Sequence, residues 1–266
     1  MRVIIEQDYA GLSLRAAQIV ADLVIRKPDC VLGLATGSTP LGLYAELVRM
    51  SREEGLDFSR VTTFNLDEYI GLGPDHEQSY RYFMEKNLFE GLHFRPCMTH
   101  VPNGLARDFV ASCARYEKAI EDAGGIDLQV LGIGGDGHIG FNEPGSSLGS
   151  RTRLVVLTPE TIEDNSRFFA SPTEVPRYAI TMGVATILEA KRCLLLANGI
   201  KKAKVVREAI EGPVTSQLTA SALQFHPDTV AVFDEEAAAL LETRDYHKHA
   251  EKALRELCAG ELLTIG

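Results

Sequence analysis

Short runs of β-branched and aliphatic residues alternate along the chain with longer stretches whose apolar positions recur every three or four residues. The first pattern marks buried strands and the second amphipathic helices. A strand is predicted at 3–5 and a helix at 9–26, whose apolar stripe is Leu12, Ala16, Ile19, Val20 and Leu23. A strand at 30–34 follows, then a helix that opens within 36–40 and runs to about 52. Strands at 61–64 and 128–133 are separated by helices at 79–89 and 109–123. Further strands fall at 154–157, 193–197 and 229–233, with helices at 183–189, 200–210 and 235–256. Strands separated by helices predict an α/β fold: a three-layer sandwich around a mainly parallel, modified Rossmann-like sheet. No linker, composition break or internal repeat divides the chain, so residues 1–266 are read as one domain.

Composition narrows the function without naming it. A hydrophobic content of 45% and a charged content of 24% over 266 residues suit a globular protein with a full core. A formal net charge of −10 argues against nucleic acid or an anionic membrane as partner, although local loops still decide whether a small anion binds. Five cysteines (Cys30, Cys97, Cys113, Cys193 and Cys258) form no CxxC pair and sit mostly in apolar runs. They read as buried free thiols of a reducing cytoplasm. The first residues lack the apolar stretch of a leader and no segment reaches membrane-spanning length, so a soluble cytoplasmic protein is expected.

The candidate chemistry sits at strand ends, where open α/β sheets place their ligands. Gly132-Ile133-Gly134-Gly135-Asp136-Gly137-His138-Ile139-Gly140-Phe141-Asn142-Glu143-Pro144 follows the 128–133 strand. Its glycines satisfy GxGxxG, but Gly140, Asn142 and Pro144 break the helix that a dinucleotide fingerprint requires, and no acid follows at the next strand end. A metal held by Asp136, His138 and Glu143 lacks a second histidine cluster to support it, and none is expected. What remains is a histidine acid/base whose charge is set by flanking carboxylates. Thr36-Gly37-Ser38-Thr39-Pro40 ends the second strand and is either an anion cradle or a simple Ser/Thr cap. It lacks the Gly-Lys-[ST] of a P-loop. In Asn65-Leu66-Asp67-Glu68-Tyr69, at another strand's carboxyl end, adjacent carboxylates diverge whether the segment is strand or turn, so Asp67 is the candidate base and Glu68 its support. Asn165-Ser166-Arg167-Phe168-Phe169 and Gly199-Ile200-Lys201-Lys202 offer positive charge, with a solvated helix face as the plainer reading of each lysine.

Together these segments, with Ser150-Arg151-Thr152-Arg153 and the 199–212 stretch, resemble the glucosamine-6-phosphate deaminase family across nearly the whole chain. The resemblance implies conversion of glucosamine 6-phosphate and water to fructose 6-phosphate and ammonia, in N-acetylglucosamine and amino sugar catabolism, with no cofactor. It implies that His138 opens the pyranose ring, aided by Asp136 and Glu143, and that Asp67 shuttles the C2 proton. Thr36, Gly37, Ser38 and Thr39 would hold the phosphate with Arg167 and Lys202, beneath a lid around 158–182. A 6-phosphogluconolactonase shares the phosphate loop and the Gly-x-Asp-Gly-His motif; Phe141-Asn142-Glu143-Pro144 is the deaminase form, with Glu143 the discriminating residue. A non-catalytic sugar-phosphate sensor would carry a fused regulator such as a helix-turn-helix extension, which is not expected here. Family members activated by N-acetylglucosamine 6-phosphate carry a lysine where this chain has Val155, which implies weak or absent activation. The family contains monomers and hexamers, and either state fits.

Overall fold

The computed structural model of the chain describes residues 1–95, 97–166, 169, 171 and 174–260. Among these, seven strands form one parallel sheet: β1 (Arg2–Glu6), β2 (Val31–Leu34), β3 (Thr62–Asn65), β5 (Thr99–His100), β6 (Leu128–Leu131), β9 (Cys193–Ala197) and β10 (Thr229–Asp234). Their spatial order is β1-β10-β9-β6-β2-β3-β5. A smaller antiparallel sheet of order β4-β8-β7 joins β4 (Asp67–Tyr69), β7 (Arg153–Val156) and β8 (Tyr178–Thr181).

Period-two alternation explains the three layers. In β9, Leu194 and Leu196 enter one core while Cys193, Leu195 and Ala197 enter the other; in β10, Val230 and Val232 oppose Ala231 and Phe233. One core is completed by α1 (Tyr9–Arg26), α2 (Leu41–Glu54) and α3 (Tyr80–Asn87), through residues such as Leu12, Tyr44 and Met84. The other is completed by α4 (Phe109–Asp122), α6 (Val184–Leu188) and α7 (Ala203–Glu211), through Ile120, Ile187 and Val206. Strands buried on both faces read as continuous apolar runs, which is why they were visible in the sequence.

Three differences from the sequence pattern have local causes. The helix predicted at 235–256 runs instead as α8 (Arg244–Gly260). Upstream, Asp234 Oδ1 accepts the Ala237 amide at 2.7 Å, and Glu211 accepts the amides of Glu242 and Thr243. Asp234 thus caps a single turn closed by Ala238 N to Asp234 O (3.0 Å), while Glu211 takes the amides of Glu242 and Thr243 from any continuation, and no helix forms before Arg244. The 65–69 segment, a strand or turn at a strand's end in the sequence, opens a strand of the second sheet, β4: Leu66 donates to Leu34 O (3.0 Å) in the large sheet and accepts from Met182 N (2.7 Å) beside the small one. The chain thus changes sheets at Leu66, one residue before Asp67. β5, β8 and α5 (Pro159–Ser166) escaped the pattern, being short or only half-buried segments without a clear period.

Cys30, Cys113 and Cys193 are buried free thiols as expected, whereas Cys97 is exposed; the Cys258 side chain lies outside the description. Among the described residues no helix is long and apolar enough to cross a membrane.

Asp127, just before β6, ties the lower edge of the sheet together. Its carboxylate accepts the Val31 amide (2.8 Å), Lys27 Nζ (2.7 Å) and Lys191 Nζ (2.7 Å). Burial works against its charge, but Lys191, Lys27 and the amide outweigh it and hold the carboxyl below its ordinary value. A depressed carboxylate contributes stability above its unfolded value, near pH 4, and loses it as the pH falls through the lower folded value. Asp127→Asn is expected to cost roughly 1–3 kcal/mol at neutral pH in urea unfolding, with the difference from wild type closing below about pH 4.

Candidate active site

From β2 the chain proceeds outward to β3 and β5 on one side, then returns to place β6, β9 and β10 on the other. The order therefore reverses between β2 and β6, and the crevice at their carboxyl ends is the switch point where such sheets bind ligands. The loops at 35–40 and 132–144 flank it.

The second of these loops is folded on itself. Asp136 Oδ1 accepts the His138 amide (3.1 Å), and the Gly134 amide donates to His138 O (2.9 Å). The His138 ring lies against Gly134, where a Cβ would collide with it. His138 Nδ1 stands 2.7 Å from Asp136 Oδ1 and 3.3 Å from Glu143 Oε2. Neither approach has a hydrogen bond's alignment, and among the described residues Nδ1 and Oε2 have no hydrogen-bond partner. The contact is therefore an ion pair set by distance. Burial disfavours the imidazolium, yet the two carboxylates raise His138 to about 9. Burial likewise opposes the Asp136 carboxylate, and His138 overcomes it, holding Asp136 down at about 2. At neutral pH the pair is an imidazolium beside a carboxylate. Glu143 Oε1 accepts the Thr158 amide at 3.4 Å, just ahead of α5.

Asp67 opens β4 opposite Thr181 of β8 and is buried. Burial first, then the neighbouring Glu68 charge, push its carboxyl up to about 8 against the pull of His138. It adjoins the 132–144 loop: at Gly140, with φ +57°, a Cβ would lie 2.8 Å from Thr181 Oγ1 and 3.5 Å from Asp67 Oδ2. Glycine alone takes this backbone conformation and lets the loop come this close to Thr181, with the Asp67 carboxylate at ordinary contact distance beside it. Glu68 diverges as its sequence position predicts. Its oxygens accept the amides of Tyr69, Tyr80 and Arg81, each at 2.9 Å, which anchors the start of α3. Burial raises Glu68 to about 7 although these amides favour its charge.

Across the crevice, Gly37 takes φ +101°, and Gly37 and Ser38 are exposed. Helix α2 starts after Pro40 with no side-chain cap, so the hydroxyls of Thr36, Ser38 and Thr39 are not serving as its N-cap. Tyr9 Oη donates to Ser38 O (3.1 Å) and Thr39 O (3.0 Å) while accepting the Gly42 amide (2.8 Å), and Thr39 Oγ1 donates to Asn198 (2.9 Å). Lys202 Nζ donates to Ile133 O (2.8 Å), which brings the ammonium to the end of β6. The Gly199 and Ile200 amides are occupied by Asp234 and Glu236, so the backbone at that second helix start is neutralised by the chain's own acids. Arg167 lies outside the described residues.

Sequence reasoning missed the groups that hold the loop. Thr181 Oγ1 accepts the Phe141 amide (3.0 Å), and Asn142 Nδ2 donates to Ile139 O (2.9 Å) and Met182 O (2.8 Å). Arg153 donates to Asn142 Oδ1 (2.8 Å) and Ser146 Oγ (3.1 Å). Isolated threonines in β-branched runs carry no local signal; their role exists only once the segments meet.

This arrangement places a buried carboxylate, a cationic histidine flanked by two acids, and an uncapped hydroxyl-rich loop around one crevice. It can move protons on a small polar ligand while an anionic end is held opposite. Among the described residues, donor atoms of Asp136, His138 and Glu143 lie within 4.8 Å of one another, close enough to hold a cation.

Fold and site together define an α/β protein built for acid/base chemistry at the sheet's switch point. Residues 7–232 match the family described as glucosamine-6-phosphate isomerases/6-phosphogluconolactonase, and the chain belongs to that family. It is 55% identical over 241 residues to a glucosamine-6-phosphate deaminase of Halothermothrix orenii, covering 91% of this chain and 100% of the relative. A solved monomeric glucosamine-6-phosphate deaminase superposes with a TM-score of 0.89 at 48% identity, covering 90% of this chain and all of the other. A 6-phosphogluconolactonase from Trypanosoma cruzi shares the fold, with a TM-score of 0.70 at 23% identity over 91% of this chain and 97% of its own.

The ion pair is directly measurable. The His138 ring protons should titrate by NMR near pH 9, and Asp136→Asn should move the midpoint down toward neutrality because one stabilising negative charge is gone. An unmoved midpoint would show that Asp136 does not set the histidine's charge.

Proposed function

We propose that this protein is a glucosamine-6-phosphate deaminase, which isomerises and deaminates glucosamine 6-phosphate with water to fructose 6-phosphate and ammonia. The observation that carries this reading is the seating of Asp67 against the loop bearing Asp136, His138 and Glu143, opposite the Thr36–Thr39 loop. Identity of 48–55% to proteins of that name over about nine-tenths of the chain supports it.

His138 opens the pyranose ring, delivering a proton to O5 as O1 gives one up; its two flanking carboxylates keep the imidazolium available for that donation. Asp67, in its carboxylate form, accepts the C2 proton; burial makes it a stronger base but leaves only a minority of it ionised at neutral pH, and the pull of His138 favours that ionised form. As the C2 proton leaves, O1 takes up a proton given by the substrate's ammonium, forming the enolamine; the C2 proton then returns at C1, which leaves a protonated imine at C2 beside the C1 hydroxymethyl. Water adds to C2, the carbinolamine collapses, and ammonia leaves with the electrons of the C–N bond. No step requires a metal or organic cofactor. Thr36, Gly37, Ser38, Thr39, Lys202 and Arg167 hold the phosphate, whose binding energy far from C2 is realised as orientation at the reacting carbons. The segment 158–182 acts as the lid, with α5 next to Glu143 and β8 as its fixed end. Glu143, 3.3 Å from His138 Nδ1, supports the deaminase over the lactonase. The reaction belongs to N-acetylglucosamine catabolism in the cytoplasm. Val155, packed against the Tyr69–Phe141 cluster, supplies no cation to an effector phosphate, so activation by N-acetylglucosamine 6-phosphate is weak or absent.

Purified protein is expected to release ammonia from glucosamine 6-phosphate with and without EDTA. Hydrolysis of 6-phosphogluconolactone in place of ammonia release would overturn the assignment. Loss of turnover in EDTA, restored by a divalent cation, would instead turn the Asp136–His138–Glu143 cluster into a metal site. Asp67→Asn should lower kcat by about 100-fold or more with KM close to wild type, because proton transfer rather than binding is removed.

A further inference from the structure

The candidate acid/base residues His138 and Glu143 are joined by four residues, 139–142, and the backbone at the two ends of that link meets one buried hydroxyl. Thr219 Oγ1 accepts the Ile139 amide at 3.3 Å and donates to Asn142 O at 2.8 Å. Thr219 is 1% exposed and begins the 3₁₀ segment Thr219–Phe225, which the sequence pattern did not reveal. Its neighbours reinforce the hold. The Ala220 amide donates to Gly137 O at 2.9 Å, and the Leu218 side chain packs where a Cβ on Gly137 would be.

The consequence is geometric. His138 Nδ1 and Glu143 Oε2 are 3.3 Å apart without a hydrogen bond between them. Nothing directional between the two side chains fixes that separation, so it is inherited from the backbone that carries them. Asn142 closes the same turn from inside, through Nδ2 to Ile139 O at 2.9 Å, and its ties to Met182 and Arg153, with that of Phe141 to Thr181, hold the second half of the link; Thr219 is the hydroxyl that meets the backbone of both Ile139 and Asn142. Thr219 comes from another part of the chain and refers the loop to the core.

We propose that Thr219 is a positioning residue for the reaction, its hydroxyl fixing the spacing of His138 and Glu143 by clamping Ile139 and Asn142. A hydroxyl is required because one group must accept and donate at once; valine has the same shape and can do neither. The kinetic part of this inference rests on the deaminase reading, whereas the clamp itself does not.

Three proteins decide it: wild type, Thr219→Val and Thr219→Ser. With glucosamine 6-phosphate, Thr219→Val should lose about tenfold or more in kcat with KM within about threefold, the signature of misplaced reacting groups rather than lost binding. Thr219→Ser, which keeps the hydroxyl, should recover kcat to within about threefold of wild type. Hydrogen exchange without substrate gives an independent reading. The Ile139 amide should be protected in wild type and Thr219→Ser, and should exchange at least about tenfold faster in Thr219→Val. Wild-type kcat in Thr219→Val, a serine variant no better than valine, or an Ile139 amide unprotected in wild type would each overturn the proposal. If Thr219→Val does not fold, the serine variant and the wild-type exchange rate still decide. If wild type itself releases no ammonia, the deaminase reading fails, and the exchange comparison alone tests the clamp.

Discussion

Asp67, Asp136, Glu143 and His138 lie together in a buried or half-buried region, and His138 is the one of the four that can carry positive charge. Buried carboxylates are costly unless something answers their charge. The imidazolium, within 3.3 Å of two of them, answers Asp136 and Glu143 together. The same cation favours the charged form of Asp67, which burial and Glu68 otherwise oppose. Histidine is thus held charged by its acids, and its acids are tolerable because it is charged. That mutual dependence is what the surrounding structure has to preserve.

Several features of the fold follow from this requirement. Asp67 reaches the loop because the chain leaves the large sheet at Leu66 and enters the small one immediately afterwards. Gly140 removes the side chain that would keep the loop away, and Thr181 takes the Phe141 amide that such an approach would otherwise strand. Glu68, next in sequence to the proposed base, is diverted into anchoring α3 through the amides of Tyr80 and Arg81. The large sheet contributes rigidity. Its strands bury apolar side chains on both faces, so the ends of β2, β3, β6 and β9 are fixed relative to one another before any ligand arrives.

The opposite side of the crevice uses different physics. Its loop at 36–39 offers backbone and hydroxyl groups with no cap duty on α2, while the comparable helix start at Gly199 has its amides filled by Asp234 and Glu236. Two strand-to-helix turns of similar appearance in the sequence therefore differ in what they can accept. In one, Gly37 and Ser38 are exposed although the Thr39 hydroxyl is spent on Asn198; the other is closed internally, with Lys202 turned to the end of β6.

The sequence by itself determined the alternation of strands and helices and the location of the chemistry at strand ends. It also pointed to Asp67, Asp136, His138 and Glu143 as the groups to watch. These are local properties: apolar runs reflect two-sided burial, and glycines beside titratable residues mark backbone too irregular for a helix. Only the tertiary structure decided that Glu68 caps a helix, that α8 begins at Arg244, and that a second sheet runs through Asp67, Arg153 and Thr181. It alone brought Thr219 to the His138 loop. The physical reason is that hydrogen bonds between distant segments leave no periodic trace, since a threonine or an asparagine looks the same in the chain whether it meets solvent or the His138 loop.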